Sequence, residues 1–359
     1  MKKKKLLYDV DESPSLSKKI ILAISSLGIL TACGPDYSIP SSYKRVDMNN
    51  RNELTIFEQK LSDADAITSK QMSVQTEIDF SLEMDEFLIC SGDLLSYSSS
   101  IRIANVNCDL KYTFAKNGIS FKDRIEILEI KDLSFNLEMT NNKQTISLKA
   151  NDVDFCYYLV NGNLYWDASD SDLKKFVYAI LDLDTSSTAL KEMNALKANL
   201  DSFFGKYYIE NAENIIDVED FSLSSITDNL DNSFSYQNII NSLISSSSSY
   251  DIGDSFILAY DENSKGVAFG ISSNNLDLSK YKDIKKYDCE MGVVFNEEGL
   301  LERAAFSCDL DLSNGSNIIL IDDAEFTLNL KYDNIVPVVP NFKKYEPFSN
   351  IKGLEDLKK

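Results

Sequence analysis

Histidine is absent from all 359 residues. That one absence removes Ser-His-Asp and Cys-His nucleophilic systems, HExxH-type zinc sites and histidine general bases together. Neither GxxxxGKS/T nor GxGxxG occurs, so the chain has no glycine-rich cradle for phosphate. Positive charge is also scarce: 36 Lys and Arg stand against 57 Asp and Glu, a formal net charge of -21. Such a surface repels nucleic acid and anionic headgroups, so no nucleic-acid partner is expected. A strongly acidic chain can be disordered, but 43% hydrophobic and 11% aromatic content argue for a folded core. Carboxylates are so numerous that chance accounts for any glycosidase-like pair, and sequence singles none out. The stretches Asp167-x-Ser169-x-Ser171 and Asp309-x-Asp311-x-Ser313 place oxygens at alternate positions. Both lack the sixth-position glycine and twelfth-position glutamate of a calcium loop. They read as a turn before a helix and the outward face of a strand. No catalytic residue, cofactor or metal is expected, and the chain does not read as an enzyme.

What is present begins with "ILAISSLGILTACGPDYS", Ile21 to Ser38. The apolar run from Ile20 to Ala32 is too short to cross a bilayer, which takes ~20 residues. Lys2–Lys5 and Lys18–Lys19 precede it and small residues end it, the charge order of a secretory signal. Its end, Leu30-Thr31-Ala32-Cys33, resembles the bacterial lipobox. That resemblance implies cleavage before Cys33 and a diacylglyceryl group on its sulfur. Durable anchoring takes more than one acyl chain, and the diacylglyceryl group brings two. Residues 1–32 carry six lysines and three acids, so the mature chain moves from -21 to -24. The expected location is the extracytoplasmic face of the cell membrane, held by lipid.

Residues 33–50 read as the lipidated cysteine and a flexible tether, with two prolines and no apolar period. Leu54, Phe57, Leu61 and Ala64 then fall at helical spacing, predicting a helix over about 52–68. Strict alternation follows at 74–84, 106–114, 133–139 and 153–159, the period of half-buried strands. Asn161-Gly162 between two such runs is a strong hairpin signal. Helical stripes mark the middle, about 170–246: Leu173, Phe176, Val177 and Ile180, then Leu190, Met193, Leu196, Leu200 and Phe203. A further helix is expected before the serine run at 245–249. Strands resume from 255, including a hairpin turning at Glu297-Glu298-Gly299. The expected layout is a signal at 1–32, a single β-rich domain over 51–345 and a charged tail over 346–359.

Two stretches echo two others. "ANVNCDLKYTF" (104–114) shares A-x-x-x-C-D-L with "AAFSCDLDLSN" (304–314), and "IKDLSFNLEM" (130–139) shares I-x-D-x-x-F-x-L with "IDDAEFTLNL" (321–330). Either a duplicated strand unit (about 74–167 and 250–335) or convergence of alternating strands explains them. Cys90/Cys108 and Cys289/Cys308 have nearly equal spacings, and each pair could face across a hairpin, leaving Cys156 free. The expectation favours free thiols acting as small buried hydrophobes.

The order lipobox, tether, amphipathic helix, alternating strands, helical insertion and more strands resembles the LolA/LppX/LprG-type lipoproteins, over roughly residues 51–345. The phrases "YYLVNGNLYWDASDSDL" and "VVFNEEGLLERAAF" are similar to segments of lipoproteins from low-GC Gram-positive bacteria. The resemblance implies an α+β, β-rich fold: a curved, mainly antiparallel sheet, an open half-barrel, with helices over its concave face. It also implies a cavity that holds acyl chains, and it carries over no catalytic residue. The candidate lining is Phe155, Tyr157, Tyr165, Trp166, Phe176, Tyr178, Met193 and Leu196, each of which ordinary core packing also explains. The expected function is a membrane-anchored lipoprotein that binds a hydrophobic ligand such as lipid. The alternative is a structural or adhesion lipoprotein with a filled core.

Overall fold

The computed structural model describes residues 39–93, 97–118, 120–141, 144–182, 200–212, 256–272, 284–314 and 317–348. Its strands form one open sheet of thirteen: β1 (Lys44–Arg45), β2 (Gln75–Asp93), β3 (Tyr97–Lys116), β4 (Arg124–Asn141), β5 (Gln144–Val160), β6 (Asn163–Asp167), β7 (Lys206–Ile209), β8 (Phe256–Tyr260), β9 (Val267–Ser272), β10 (Ile284–Phe295), β11 (Leu301–Asn314), β12 (Asn317–Lys331) and β13 (Glu346–Pro347). The order across the sheet is β1-β8-β9-β10-β11-β12-β2-β3-β4-β5-β6-β7-β13, and the two ends do not meet. All pairings are antiparallel except β13 on β7. The chain's late strands thus join its early ones directly, β12 beside β2. Both edges are short: β1 is a basic dipeptide and β13 ends in proline, features that blunt a row of unpaired backbone groups.

Two α-helices occur among the described residues, α1 (Arg51–Met72) and α2 (Ser171–Leu181). The helix expected over 52–68 forms and runs on to Met72. Asn50 caps it, accepting from the amides of Asn52 and Glu53. Phe57, Leu61, Ala64 and Thr68 make its buried stripe. Thr68 ties the helix to a hairpin, because its hydroxyl accepts from the Leu301 amide at 2.9 Å. That hairpin turns where expected. Gly299 there has φ +81°, and a Cβ on it would come within 3.2 Å of Ile67, so glycine serves both the turn and the helix contact. Asn161 and Gly162 (φ 53° and 76°) make the predicted two-residue turn between β5 and β6.

The long strands, up to 20 residues in β3, share a line of irregularities near their middles. Asn105, Asp132, Asp152 and Asp323 take left-handed φ of 52°, 54°, 47° and 46°. The registers of β3 with β4, β4 with β5 and β11 with β12 shift at this level. Each bulge frees an amide that the ladder no longer bonds, and neighbouring strands satisfy three of these. Asp132 donates to Asp154 at 3.1 Å, Asp152 to the Ser134 hydroxyl at 2.7 Å and Asp323 to Asp309 at 3.4 Å. A bulge adds one residue, so the apolar face changes phase across the line. On β4 that face carries Leu128 before the bulge and Leu137 after it.

Two hydrophobic clusters result. One gathers Phe57, Leu61 and Ala64 of α1 with Ile78, Tyr112, Phe269, Val293, Phe295 and Leu330. The other, beyond the bulges, gathers Met84, Phe87, Ile103, Leu137, Leu148 and Ile321, with Phe176 of α2 against it. Met291 and Phe326 touch both clusters, which marks one continuous face.

Several expectations are corrected. Residues 39–50 are not a free tether: Tyr43 is buried and donates to the Phe295 carbonyl, Lys44–Arg45 pair with β8, and Val46 enters the core. The attachment is by scattered residues on an edge, which leaves no apolar period. The sheet runs past residue 345, because Glu346–Pro347 pair with β7 and Phe348 packs on Trp166. In the middle, described residues after α2 form a single 3-10 turn, Asp201–Phe203, and the strand β7. The helix expected at 239–244 lies outside the described residues. The favoured free-thiol reading fails for one pair: Cys289 and Cys308 are directly opposed across β10 and β11, with Cα atoms 4.1 Å apart, and are bridged. Cys90 and Cys108 are free because their hairpin turns elsewhere, setting Cys90 opposite Ser100 and Cys108 opposite Leu82.

Candidate functional site

The apolar face between the clusters is built by register. Val293, Ala304, Leu328, Phe80, Leu110, Ile130 and Phe155 are successive cross-strand neighbours on β10, β11, β12, β2, β3, β4 and β5. Val293 and Ala304 are buried, whereas Leu328, Phe80, Leu110, Ile130 and Phe155 are half-buried. A row of large apolar side chains thus stays partly open between two closed cores.

A charged group sits in the same face. Glu126, two residues along β4 from Leu128, is 1% exposed. Leu128 is flanked by Tyr112 on β3 and Tyr157 on β5, so both phenols reach diagonally to the carboxylate. Tyr112 donates at 3.0 Å and Tyr157 at 2.6 Å, both to Oε1, while Arg124 Nη2 donates to Oε2 at 2.7 Å. The Arg124 guanidinium lies over the Phe114 ring, 5.1 Å from its centre. Burial pushes the Tyr112 and Tyr157 hydroxyls well above the ordinary phenol range, and the Glu126 charge adds to it. Two polar atoms here are buried without a partner, Arg124 Nε and the Thr76 hydroxyl. Thr76 is directly opposite Phe114, and Phe114 opposite Glu126. The arrangement leaves hydrogen-bonding capacity unspent at one end of an apolar face.

The predicted lining residues divide. Phe155, Tyr157 and Trp166 stand on this face, with Trp166 directly opposite Tyr157. Trp166 is held by its own contacts, donating to the Phe203 carbonyl at 3.2 Å and meeting Phe348 edge-on. Phe176 reaches the face from α2, edge-on to Phe135. Tyr178 turns to Phe204 and donates to Asp201. Tyr165 pairs with Tyr158 on the opposite face and stacks on Phe342, ring centres 3.7 Å apart. Cys33, Met193 and Leu196 lie outside the described residues.

Sequence reasoning missed Glu126, Arg124 and Tyr112 as site residues. Their signal was available: in "RIEILEI" the glutamate falls in phase with Leu128 and Ile130, a charge on the apolar side of a strand.

The polar face holds a groove of about 310 Å³. Its floor is two cross-strand rows, Asn329-Asp79-Lys111-Glu129 and Thr327-Ser81-Asp109-Lys131, in which charges alternate. Of the two oxygen-rich stretches, Asp167 accepts from Lys206 and Ser169 before α2, and Asp309 pairs with Lys286 at 2.8 Å on β11. Among the described residues no group of three acidic or cysteine side chains could hold a metal ion. No helix among them is long and apolar enough to cross a membrane. A scan against protein-family models finds no matching family, and searches of the curated proteins and of the solved structures find no match.

Proposed function

We propose that this chain is a lipoprotein anchored through a diacylglyceryl group on Cys33 at the extracytoplasmic face of the cell membrane, and that it binds an amphiphilic lipid without acting on it chemically. One observation carries the binding half of this reading: the half-buried row Leu328-Phe80-Leu110-Ile130-Phe155 between two buried clusters. An acyl chain laid along that row removes apolar surface from water at roughly 25 cal/mol per Å². Arg124 Nε and the Thr76 hydroxyl, buried and unpartnered, supply donors for the ligand's polar group. In this reading the bulge line bends the sheet into the open half-barrel of the LolA/LppX/LprG type, with helices over its concave side.

The test starts from protein purified from membranes. Solvent extraction followed by mass spectrometry is expected to release lipid in stoichiometric amount, beyond the anchor itself. Ile130→Trp is expected to abolish that lipid while leaving the melting temperature unchanged, because it fills open space. In a filled core the same change would overpack, costing about 1–3 kcal/mol. A lowered melting temperature with no lipid in the parent protein defeats the carrier reading. The second reading, an interaction lipoprotein with a filled core, is favoured by the polar-face groove and its alternating charges. Lys111→Glu with Lys131→Glu would then abolish partner capture on cells while leaving any bound lipid in place.

A further inference from the structure

The end of the sheet nearest the anchor is marked by several contacts. Tyr43 bonds the Phe295 carbonyl, the Tyr332 hydroxyl donates to the Leu301 carbonyl at 2.8 Å, and the Gln75 amide donates to the Tyr332 carbonyl. The last residue of β10, the first of β11, the residue after β12 and the first of β2 therefore share one end. Ile39 packs there too, beside Tyr43, Ala259, Ala268 and Val294. Only six residue-to-residue steps separate Ile39 from Cys33. Fully extended they span roughly 20 Å, at about 3.3–3.6 Å per residue. An anchored Cys33 holds this end close to the headgroups.

The chain leaves β12 at the same end and rejoins the sheet beside β6, whose Tyr165 shares one cross-strand row with Lys331, the last residue of β12. There Phe342 stacks on Tyr165, and the Phe348 amide reaches the Tyr208 carbonyl at 2.9 Å. The connecting segment reads "NIVPVVPNFKKY", 334–345. Val336 and Val338 are 78% and 83% exposed, Val339 is 37% exposed, and Val74 at the start of β2 is 47% exposed. These four valines are most of the large apolar side chains that the described residues expose; Val74 directly precedes β2 at this end, and the other three lie on the stretch between the end of β12 and the return at Phe342. Pro337 and Pro340 each lock their own φ, which stiffens the stretch that carries Val336, Val338 and Val339. The segment contains Lys343 and Lys344, both exposed, and no acid, in a chain where acids outnumber bases 57 to 36. Apolar tips flanked by lysine, on the end tied to the membrane, match the chemistry of an anionic lipid surface.

We propose that residues 334–344 are a membrane-contact loop whose valines enter the interfacial layer of the bilayer that carries the anchor. This rests on the reading that Cys33 bears the lipid. It adds an orientation: the strands stand on the membrane, and the Arg124–Glu126 end of the apolar face opens toward it, because Arg124 is directly opposite Lys116 at the same end of the sheet. A lipid leaving the bilayer would meet that end first.

The test uses the processed, lipidated full chain in vesicles of equal parts phosphatidylglycerol and phosphatidylcholine, with bromine-labelled acyl chains as quencher. Val338→Trp places a reporter on the loop. Gln144→Trp places one at the β4–β5 turn, up to ~60 Å away at about 3.3 Å per residue. Emission is read as the excess over the parent chain, whose Trp166 is buried. The expected result is that Val338→Trp shifts to the blue and loses most of its excess emission, while Gln144→Trp loses none. Circular dichroism checks that each variant is folded. Equal quenching at both positions, or none at Val338→Trp in a chain that floats with the vesicles, overturns the proposal. A chain that does not float refutes the anchor, and the loop's contact falls with it.

Discussion

Removing the Glu126 carboxylate tests whether the buried cluster holds the fold or serves a ligand. Glu126→Leu leaves the Arg124 guanidinium, 17% exposed, without its counter-ion, and leaves two phenols, one buried and one half-buried, without their acceptor. Breaking a buried pair from one side costs about 3–5 kcal/mol. Arg124 keeps some access to water and a ring beneath it, which places this case near the lower end, about 3 kcal/mol. Removing both charges is a different experiment: with Arg124→Met and Glu126→Leu together no charge is left buried without its partner, so the double variant is expected to be more stable than Glu126→Leu alone, while the two phenols still lack their acceptor. The assay is urea unfolding of a chain expressed from residue 39, followed by Trp166 emission, with the two single variants and the double variant closing a cycle. A Glu126→Leu cost below about 1 kcal/mol, or a double variant as unstable as the single, refutes the reasoning. If the ligand reading holds, the double variant also carries less extractable lipid. That loss would separate the cluster's role in binding from its role in folding.

Three further outcomes follow from particular residues. Phe57, wholly buried between α1 and the sheet, should cost about 3–5 kcal/mol on change to Ala in the same unfolding assay. Asp323→Gly should lie within about 1 kcal/mol of the parent, because glycine accepts φ 46° freely, whereas Asp323→Val should lose about 1–3 kcal/mol to strain; equal effects would deny that the bulge conformation sets the cost. The Tyr112 and Tyr157 hydroxyls are raised in the folded state, first by burial and then by Glu126. Their stabilisation is therefore complete below the unfolded phenol value of about 10 and is lost as pH rises above it. Unfolding midpoints should fall above that pH, and Tyr112→Phe with Tyr157→Phe should flatten the fall.

The strands were legible because one covered face imposes a period of two, and the clearest turn was legible because Asn-Gly accepts positive φ at both positions. The bulge line was written in the sequence as well. In β5 the apolar set passes from Ile146 and Leu148 to Val153 and Phe155, even to odd, and the left-handed Asp152 is among the four residues between them. Read as two strands, that phase change is a break; in the molecule it is a single strand of 17 residues. Short edge pieces were not legible, since Lys44–Arg45, Lys206–Ile209 and Glu346–Pro347 are too brief to show a period and owe their pairing to the strands beside them. The Glu126 cluster stayed hidden for another reason. An acid within an alternating strand reads as solvent-facing until its phase is compared with that of its neighbours, and its partners come from three strands. Tyr165 stood beside Trp166 among the candidate lining residues, yet adjacent residues on a strand face opposite ways.

The echo between the two strand units gains a physical account from the same bulges. Asp132 and Asp323 occupy the same place in I-x-D-x-x-F, both are left-handed, and both amides are bonded to an aspartate on the next strand. Duplication would produce that agreement. But Asp152-Val153-Asp154-Phe155 on β5 has the same D-x-x-F spacing and the same left-handed aspartate, and it belongs to neither echoed pair. In all three strands the phenylalanine lies on the apolar face. Aspartate is among the few residues that tolerate the left-handed region, and a fixed offset to the next inward position follows from the bulge. The shared D-x-x-F therefore recurs on three of the strands that cross the bulge line, β3 using Asn105 and Cys108 in the same places, and its recurrence needs no common ancestor.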